Sequence, residues 1–259
     1  MPEHTLIIVT TAVFCLIYLE RFFPAHTSAH HGRNAWYLRG SAITFLNIFV
    51  FVCVDRFVSK LATPVHLIPI VDSLPSFWGA LIGYVIFTFI VYWWHRARHH
   101  YAPLWRWFHQ LHHSPTRIEM LTAYYIHPLD LIANLLISNV IVFLILGLNI
   151  EGASYYTIIT GVAGFIIHAN IKLPRWIGYV FQTPEMHRVH HKQGHHKHNY
   201  SDLVIWDYIF GTYLNPKIPV TQCGFDNSSE KYWGQMLCGR SLPNSPNSMT
   251  RNSETKTTK

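Results

Sequence analysis

The sequence predicts an all-α fold: a multi-pass membrane protein of four to five membrane helices with a histidine-rich helical cap on the cytoplasmic side. Three observations lead there. Half of the 259 residues are apolar and only 13% are charged, against roughly 25% in a soluble domain. The apolar residues gather into runs long enough to cross a bilayer core, which takes about 20 helical residues. The basic residues collect at the ends of those runs.

The first run, Thr5 to Phe23, is free of charge until Glu20 and Arg21. It lacks the basic leader and small-residue cleavage site of a signal peptide, so it is expected to be kept. The second is Gly40 to Val54, continued past Asp55 by Phe57 and Val58. The third, Phe77 to Trp94, carries no charge, and Trp93 and Trp94 close it where an interfacial aromatic belt lies. The fourth, Leu129 to Ile150, is followed at once by the fifth, Gly152 to Ile167. Leu148 to Gly152 reads as a tight turn joining these two into a hairpin. Five buried helices of a soluble protein would need far more charge on their outer faces.

Net charge is +7 with histidine neutral. Arg21, Arg33 and Arg39 flank the first loop. Arg96, Arg98, Arg106, Arg117, Lys172, Arg175, Arg188 and Lys192 follow the third and fifth runs, whereas Arg56 and Lys60 lie between the second and third. The positive-inside rule then places the N-terminus outside and the arginine-rich segments in the cytoplasm. Basic residues confined to helix ends exclude a nucleic-acid partner as their explanation. Cys15, Cys53, Cys223 and Cys238 have no metal-type spacing and indicate no disulfide framework.

The chemistry lies in the 19 histidines. His95 and His99 are four apart. His109, His112 and His113 form His-x-x-His-His, and His187, His190 and His191 repeat it. His168 stands alone at the end of the fifth run, and His127 precedes Pro128 at the head of the fourth. Residues three and four apart share a helical face, so each triplet is expected to present all its imidazoles together. Three such clusters can converge on one pocket, with too many ligands for one ion and enough for two. Imidazole suits iron, zinc, copper and nickel. No cysteine joins the clusters, as a structural zinc site would usually require, and no glutamates accompany them, as in soluble di-iron bundles. An all-histidine di-iron site is the remaining fit. His100, His195, His196 and His198 read as solvent or supporting residues, and His4, His26, His30, His31 and His66 as loop or headgroup residues. A haem carrier would set its axial histidines within facing spans. A metal transporter would set ligands at mid-membrane in broken helices.

At these residues the chain resembles the fatty acid hydroxylase superfamily, which includes sterol desaturases, sphingolipid and fatty acid hydroxylases, and alkylglycerol monooxygenase. The resemblance rests on Trp94 to His99 (WHRARH), Leu104 to Ser114 (LWRWFHQLHHS), His168 to Pro174 (HANIKLP), His187 to His191 (HRVHH), Asn199 to Ser201 (NYS) and Ile205 to Tyr213 (IWDYIFGTY), and it covers roughly residues 80 to 215. It implies helical membrane spans under a metal-bearing cap, two iron ions, dioxygen as co-substrate and a lipid substrate. It implies metal ligation by His95, His99, His109, His112, His113, His187, His190 and His191, and also by His168 and His127. It implies hydroxylation, with desaturation at the same site as the alternative. No flavin or nicotinamide fingerprint is present. Electrons are therefore expected from a separate donor, a b-type cytochrome or a ferredoxin with its reductase. Glu119, Asp130, Glu185, Asp202 and Asp207 are the carboxylates available to orient the rings. Ser201 stands where the family has glycine, which leaves that turn open. The expected division is N-terminal membrane helices over 1–75, a catalytic domain over 76–220, and a polar tail over 221–259, disordered from Asn244 onward. The membrane expected is the bacterial inner membrane or the endoplasmic reticulum, depending on source.

Overall fold

The computed structural model describes residues 3–27, 33–61, 67, 73–225, 229–240 and 242. Helices α1 (Glu3–Phe22) and α2 (Arg33–Leu61) precede α3 (Ser76–His100). A single turn, α4 (Ala102–Leu104), then opens into a wider π turn over Trp105–His109. Helix α5 (Pro128–Asn139) continues as a π turn over Val140–Ile145, and α6 (Ile150–His168) returns beside it. Short helices α7 (Pro184–His190), α8 (Ile205–Ile209) and α9 (Trp233–Leu237) belong to the cap. No strand forms among the described residues, only isolated bridges.

Five helical segments are long and apolar enough to cross a membrane: Thr5–Phe22, Arg33–Val58, Ser76–His100, Pro128–Ile145 and Ile150–His168. Their outer faces are inverted relative to a soluble protein. Phe14, Phe45 and Phe49 are each about two-thirds exposed, which water would penalise and lipid does not. The chain is an integral membrane protein. Pro128 at the first turn and the His127 side chain accepting from Leu129 N start α5; Gly147, at φ +57°, and Asn149, which caps Gly152 N, make the hairpin turn. Helix α6 packs on α3 and α1, and α5 on α2. Gly83 of α3 lets Tyr156 and Leu146 approach so closely that a Cβ there would lie 3.1 and 3.3 Å from them. Small residues bring membrane helices together in this way.

Contacts at the helix ends define the two sides. Asn149 Nδ2 lies 3.1 Å from Ser76 Oγ, so the hairpin turn and the start of α3 share one side. On the other, Arg98 near the end of α3 meets Asp130 in the first turn of α5. The Glu20 carboxylate, near the end of α1, accepts from Met120 N and Asn170 N, both at 2.9 Å. Trp36, near the start of α2, donates to Glu119. The start of α1 and the histidine-bearing cap therefore lie on opposite sides, in the relative arrangement that the charge pattern predicts.

One expectation is corrected. The segment from 221 is not all tail. Phe225, Met236 and Leu242 are buried in one cluster with Trp36, Ile43, Trp105, Leu111 and Tyr125, and Arg39 is paired with Glu230. The few apolar residues in this polar stretch suffice to bind it to the cap. Residues from 243 onward, His30, His31 and His66, and the side chain of His4, lie outside the described residues.

Candidate metal centre

Two groups of imidazoles meet at the membrane face of the cap. His95, His99, His109, His113 and His190 form one, and His112, His168, His187 and His191 the other; within each group the ligand atoms all lie within 4.8 Å of one another. All but His99 are buried. Of the ten histidines singled out in the sequence, nine are assembled here. His127 is not among them: its Nδ1 accepts from Leu129 N, and its Nε2 lies 3.1 Å from Leu237 O. It caps α5 and ties that helix to α9.

Each His-x-x-His-His triplet is divided between the groups, where the spacing alone had suggested one shared face. His109 and His113 enter the first group and His112 the second; His187 and His191 enter the second and His190 the first. The reason is angular. At about 100° per residue, position i+4 lies about 40° to one side of i, and position i+3 about 60° to the other. Two triplets facing each other therefore exchange their middle members. The π turn at Trp105–His109 loosens the first triplet's approach, and Gln110 N bonds back to Trp105 O at 2.7 Å. Such turns recur at functional sites.

Backbone carbonyls set several of the tautomers. His95 Nδ1 lies 2.9 Å from Tyr200 O, His190 Nδ1 2.8 Å from His198 O, and His168 Nδ1 2.7 Å from Gly164 O. A carbonyl only accepts, so each Nδ1 carries the proton and each neutral ring turns a bare Nε2 lone pair toward the group. His109 Nδ1 faces the Asp130 carboxylate at 3.3 Å, and that carboxylate is itself held by Arg98. Of the five carboxylates considered, Asp130 alone serves a group histidine directly. Glu119 binds Trp36 and Arg117, Glu185 binds His26, and Asp207 accepts from Tyr200 N, Ser201 N and Thr212 Oγ1.

The carbonyls of His198 and Tyr200 point inward because the loop beneath them is held in unusual conformations. His196, His198 and Asn199 have φ of 44°, 66° and 52°, costly for non-glycine residues unless the surroundings impose them. Asn199 is the anchor. Its Nδ2 donates to Met186 O and Leu214 O, and its Oδ1 accepts from Leu214 N. Ser201, in the family's glycine position, is not in the left-handed region; its hydroxyl donates to Thr88 O at 3.0 Å.

The ring nitrogens fit metal ions. In the first group, Nε2 of His113 lies 3.1 Å from Nε2 of both His109 and His190. In the second, Nε2 of His168 lies 3.2 Å from His112 Nε2 and 2.9 Å from His187 Nε2, and the Nε2 atoms of His187 and His191 are 3.0 Å apart. A first-row ion holds imidazole nitrogen at about 2.0–2.1 Å, so ligands at right angles around it lie about 3 Å apart. The buried Nε2 atoms of His95 and His99 have no hydrogen-bond partner. Facing lone pairs repel, and a cation resolves the repulsion. Burial, aided by neighbouring imidazoles and Arg98, holds the cap rings of His109, His112, His113, His187 and His191 well below the ordinary histidine pKa; burial takes His190 down to about 3. The rings are neutral at pH 7, as ligation requires.

His196 reads from the sequence as a solvent or supporting residue. It is buried, with its Nδ1 2.9 Å from His113 Nδ1. Trp105, fully buried, packs against His99, His113 and His196. The left-handed turn at His196 folds that side chain back.

The fatty acid hydroxylase family profile matches residues 80–212, which contains every histidine of both groups. The chain belongs to the fatty acid hydroxylase family. Among its relatives, an ornithine lipid hydroxylase of Rhizobium tropici is 32% identical, over 57% of this chain and 45% of its own length. A very-long-chain aldehyde decarbonylase of Oryza sativa subsp. indica is 30% identical, over 52% and 24%. A Delta(7)-sterol-C5(6)-desaturase of Nicotiana tabacum is 29% identical, over 53% and 50%. The chain spans half or less of the length of these relatives. No solved structure matches.

Proposed function

We propose that this chain is a membrane-bound non-haem di-iron oxygenase that hydroxylates a lipid, using dioxygen and electrons from a separate protein. The observation that carries the reading is the pair of imidazole groups whose Nε2 atoms stand 2.9–3.2 Å apart with their lone pairs turned inward. His95, His99, His109, His113 and His190 hold one ion, and His112, His168, His187 and His191 the other. Iron held there supplies dioxygen reduction and the oxidation of an unactivated C–H bond. The chain's own residues hold the imidazoles in one tautomer, exclude water with Trp105 and the loop over residues 192–200, and keep the centre at the bilayer face, where an apolar substrate arrives. His168, at the end of a membrane span, fixes that position. The hydroxylase reading is favoured over desaturation by the greater identity to the ornithine lipid hydroxylase.

The arginine-rich ends of α1 and α3, and the start of α2, all lie on the cap side, and under the positive-inside rule this supports a cytoplasmic cap. The electron donor, a b-type cytochrome or a ferredoxin with its reductase, meets the cap there. Nucleic acid has no part in this reading. The test has two arms. Protein purified in its active form is analysed for bound metal, with one iron expected per imidazole group. Lipid extracts of cells with and without the gene are compared, with a lipid gaining one oxygen atom expected. Active protein free of iron, or a product lighter by two hydrogens, overturns the di-iron or the hydroxylase part respectively.

A further inference from the structure

Part of the cap outside the five spans carries a surface suited to neither water nor protein interior. The 3-10 turn Arg175–Tyr179, the residues after it and α8 form one unit. Val204 N bonds to Val180 O, Gln182 N to Asp202 O, and the Tyr213 hydroxyl to Gly178 O. Its outer face shows Trp176 (69% exposed), Tyr179, Phe181, Tyr208 and Ile209. Residues 171–184 contain no carboxylate, and residues 203–221 contain only Asp207, which is buried with its oxygens accepting from Tyr200 N, Ser201 N and Thr212. The exposed charges of both stretches are Lys172, Arg175 and Lys217, all positive.

The unit is also sunk along a membrane span. Trp206 donates from Nε1 to Thr88 Oγ1 at 3.0 Å, its ring meets Phe89, and Ser201 Oγ donates to Thr88 O. Thr88 lies six residues before Trp94, about 9 Å along α3 at 1.5 Å per residue, on the bilayer side of the Trp93–Trp94 belt. Interfacial helices bury their apolar faces to about 5–10 Å.

We propose that this unit is a membrane-embedded raft: α8 and the Arg175–Tyr179 turn lie in the leaflet on the cap side, with Lys172, Arg175 and Lys217 on anionic headgroups. The occupant of the apolar face is lipid, because the face is continuous with α3's lipid-facing surface and its exposed charges are all positive, the one acidic side chain beside them, Asp202, being partly buried. Anionic lipid attracts such residues near the surface. The raft also floors the site, since the chain runs from it into α7 and, through Asn199 and Tyr200, into the carbonyl clamp. The inference does not depend on which metal is bound or which reaction follows.

The test is site-specific photocrosslinking of the full chain in vesicles of equal parts phosphatidylcholine and phosphatidylglycerol. A benzophenone amino acid replaces Tyr179 or Ile209, and, as a control, Gln193, exposed on the loop over the centre. Lipid adducts are expected at 179 and 209 and not at 193, with phosphatidylglycerol at least about twice as frequent in them as phosphatidylcholine. The triple change Lys172→Glu, Arg175→Glu, Lys217→Glu is expected to abolish the enrichment while leaving the adducts. Covalent dimers in place of lipid adducts would make the face a contact between copies and overturn the proposal. So would no adduct at either position in protein that elutes as a single folded species. Adducts without enrichment would overturn its anionic part.

Discussion

His113 and His191 lie face to face, their ring centroids 4.1 Å apart and their planes inclined by 17°, yet they belong to different imidazole groups. They form the seam between the two proposed ions. Replacing either with alanine should disturb both ions at once. We expect His113→Ala and His191→Ala to lose at least about 100-fold in turnover, at or beyond the upper end of the effect of losing an outer partner. Metal content should fall by more than one ion per chain in each. Retention of a full complement by either variant, measured by elemental analysis, would place that ring outside the ligand set.

His168→Ala should lower both metal content and turnover, since His168 contacts His112 and His187 through Nε2. The fair comparison is His195→Ala, whose ring is partly exposed and pairs with His198; it should change turnover by less than about threefold. His196→Ala is not a neutral control, because its ring supports His113. We expect about a 10-fold to 100-fold loss there. Equal effects of the His195 and His196 changes would mean that the contact with His113 carries no weight.

Asp130 should be sensitive in two ways. Asp130→Asn keeps the shape but removes the charge facing Arg98 and sets a neutral amide, a weaker acceptor than a carboxylate, against His109. Metal affinity should fall about 10-fold to 100-fold. Asp130→Ala leaves Arg98 buried without its counter-charge and should cost about 3–5 kcal/mol of stability. Competition with a chelator separates the first effect, and thermal unfolding in detergent the second. An affinity unchanged in the asparagine variant would remove Asp130 from the support of His109.

Asn199 tests the carbonyl clamp. Asn199→Gly keeps a backbone at ease with φ +52° but loses three side-chain hydrogen bonds, each worth about 1 kcal/mol. Asn199→Ala loses the same bonds and adds about 1–2 kcal/mol of left-handed strain. Alanine should therefore destabilise more than glycine. The reverse order of melting temperatures would show that the strained backbone is not what the asparagine maintains.

Much of this was legible in the sequence. Run length located the five spans, because a bilayer imposes a minimum length that few soluble helices match. Histidine spacing picked out eight residues that come together, and the position of His168 at the end of the fifth run a ninth. The division of each triplet was not legible: the spacing alone suggests one shared face, and the opposite offsets of positions i+3 and i+4 matter only once a second triplet faces the first. What could not be read were contacts across long separations. His196 needs a left-handed turn to reach His113, 83 residues away. His127 resembled a ligand because histidine both caps helices and binds metals, and Leu237 O, which occupies its second nitrogen, lies 110 residues on. Phe225 and Met236 looked isolated in a polar stretch because their partners are in α2 and the first triplet's segment.

Acid should destabilise the metal-free protein. Burial takes His190 and His196 down to about 3 in the folded chain, while the unfolded chain protonates near the ordinary 6.5. The unfolded state then binds more protons between those values, and stability falls as pH drops from about 6.5 toward 3. Melting temperature with chelator present should be level above pH 7 and decline steadily below 6.5. A flat or rising profile over that range would contradict the neutral, buried state of these rings.

The Glu20 carboxylate accepts from the backbone at Met120 and Asn170, 100 and 150 residues further along the chain. A ribosome delivers these groups in sequence. Helix α1 is made before the other described helices, and its carboxylate meets these partners only once the chain has passed α6 and reached Asn170. His187, His190 and His191 are made later still. The full set of nine imidazoles is therefore complete only after all five candidate spans exist.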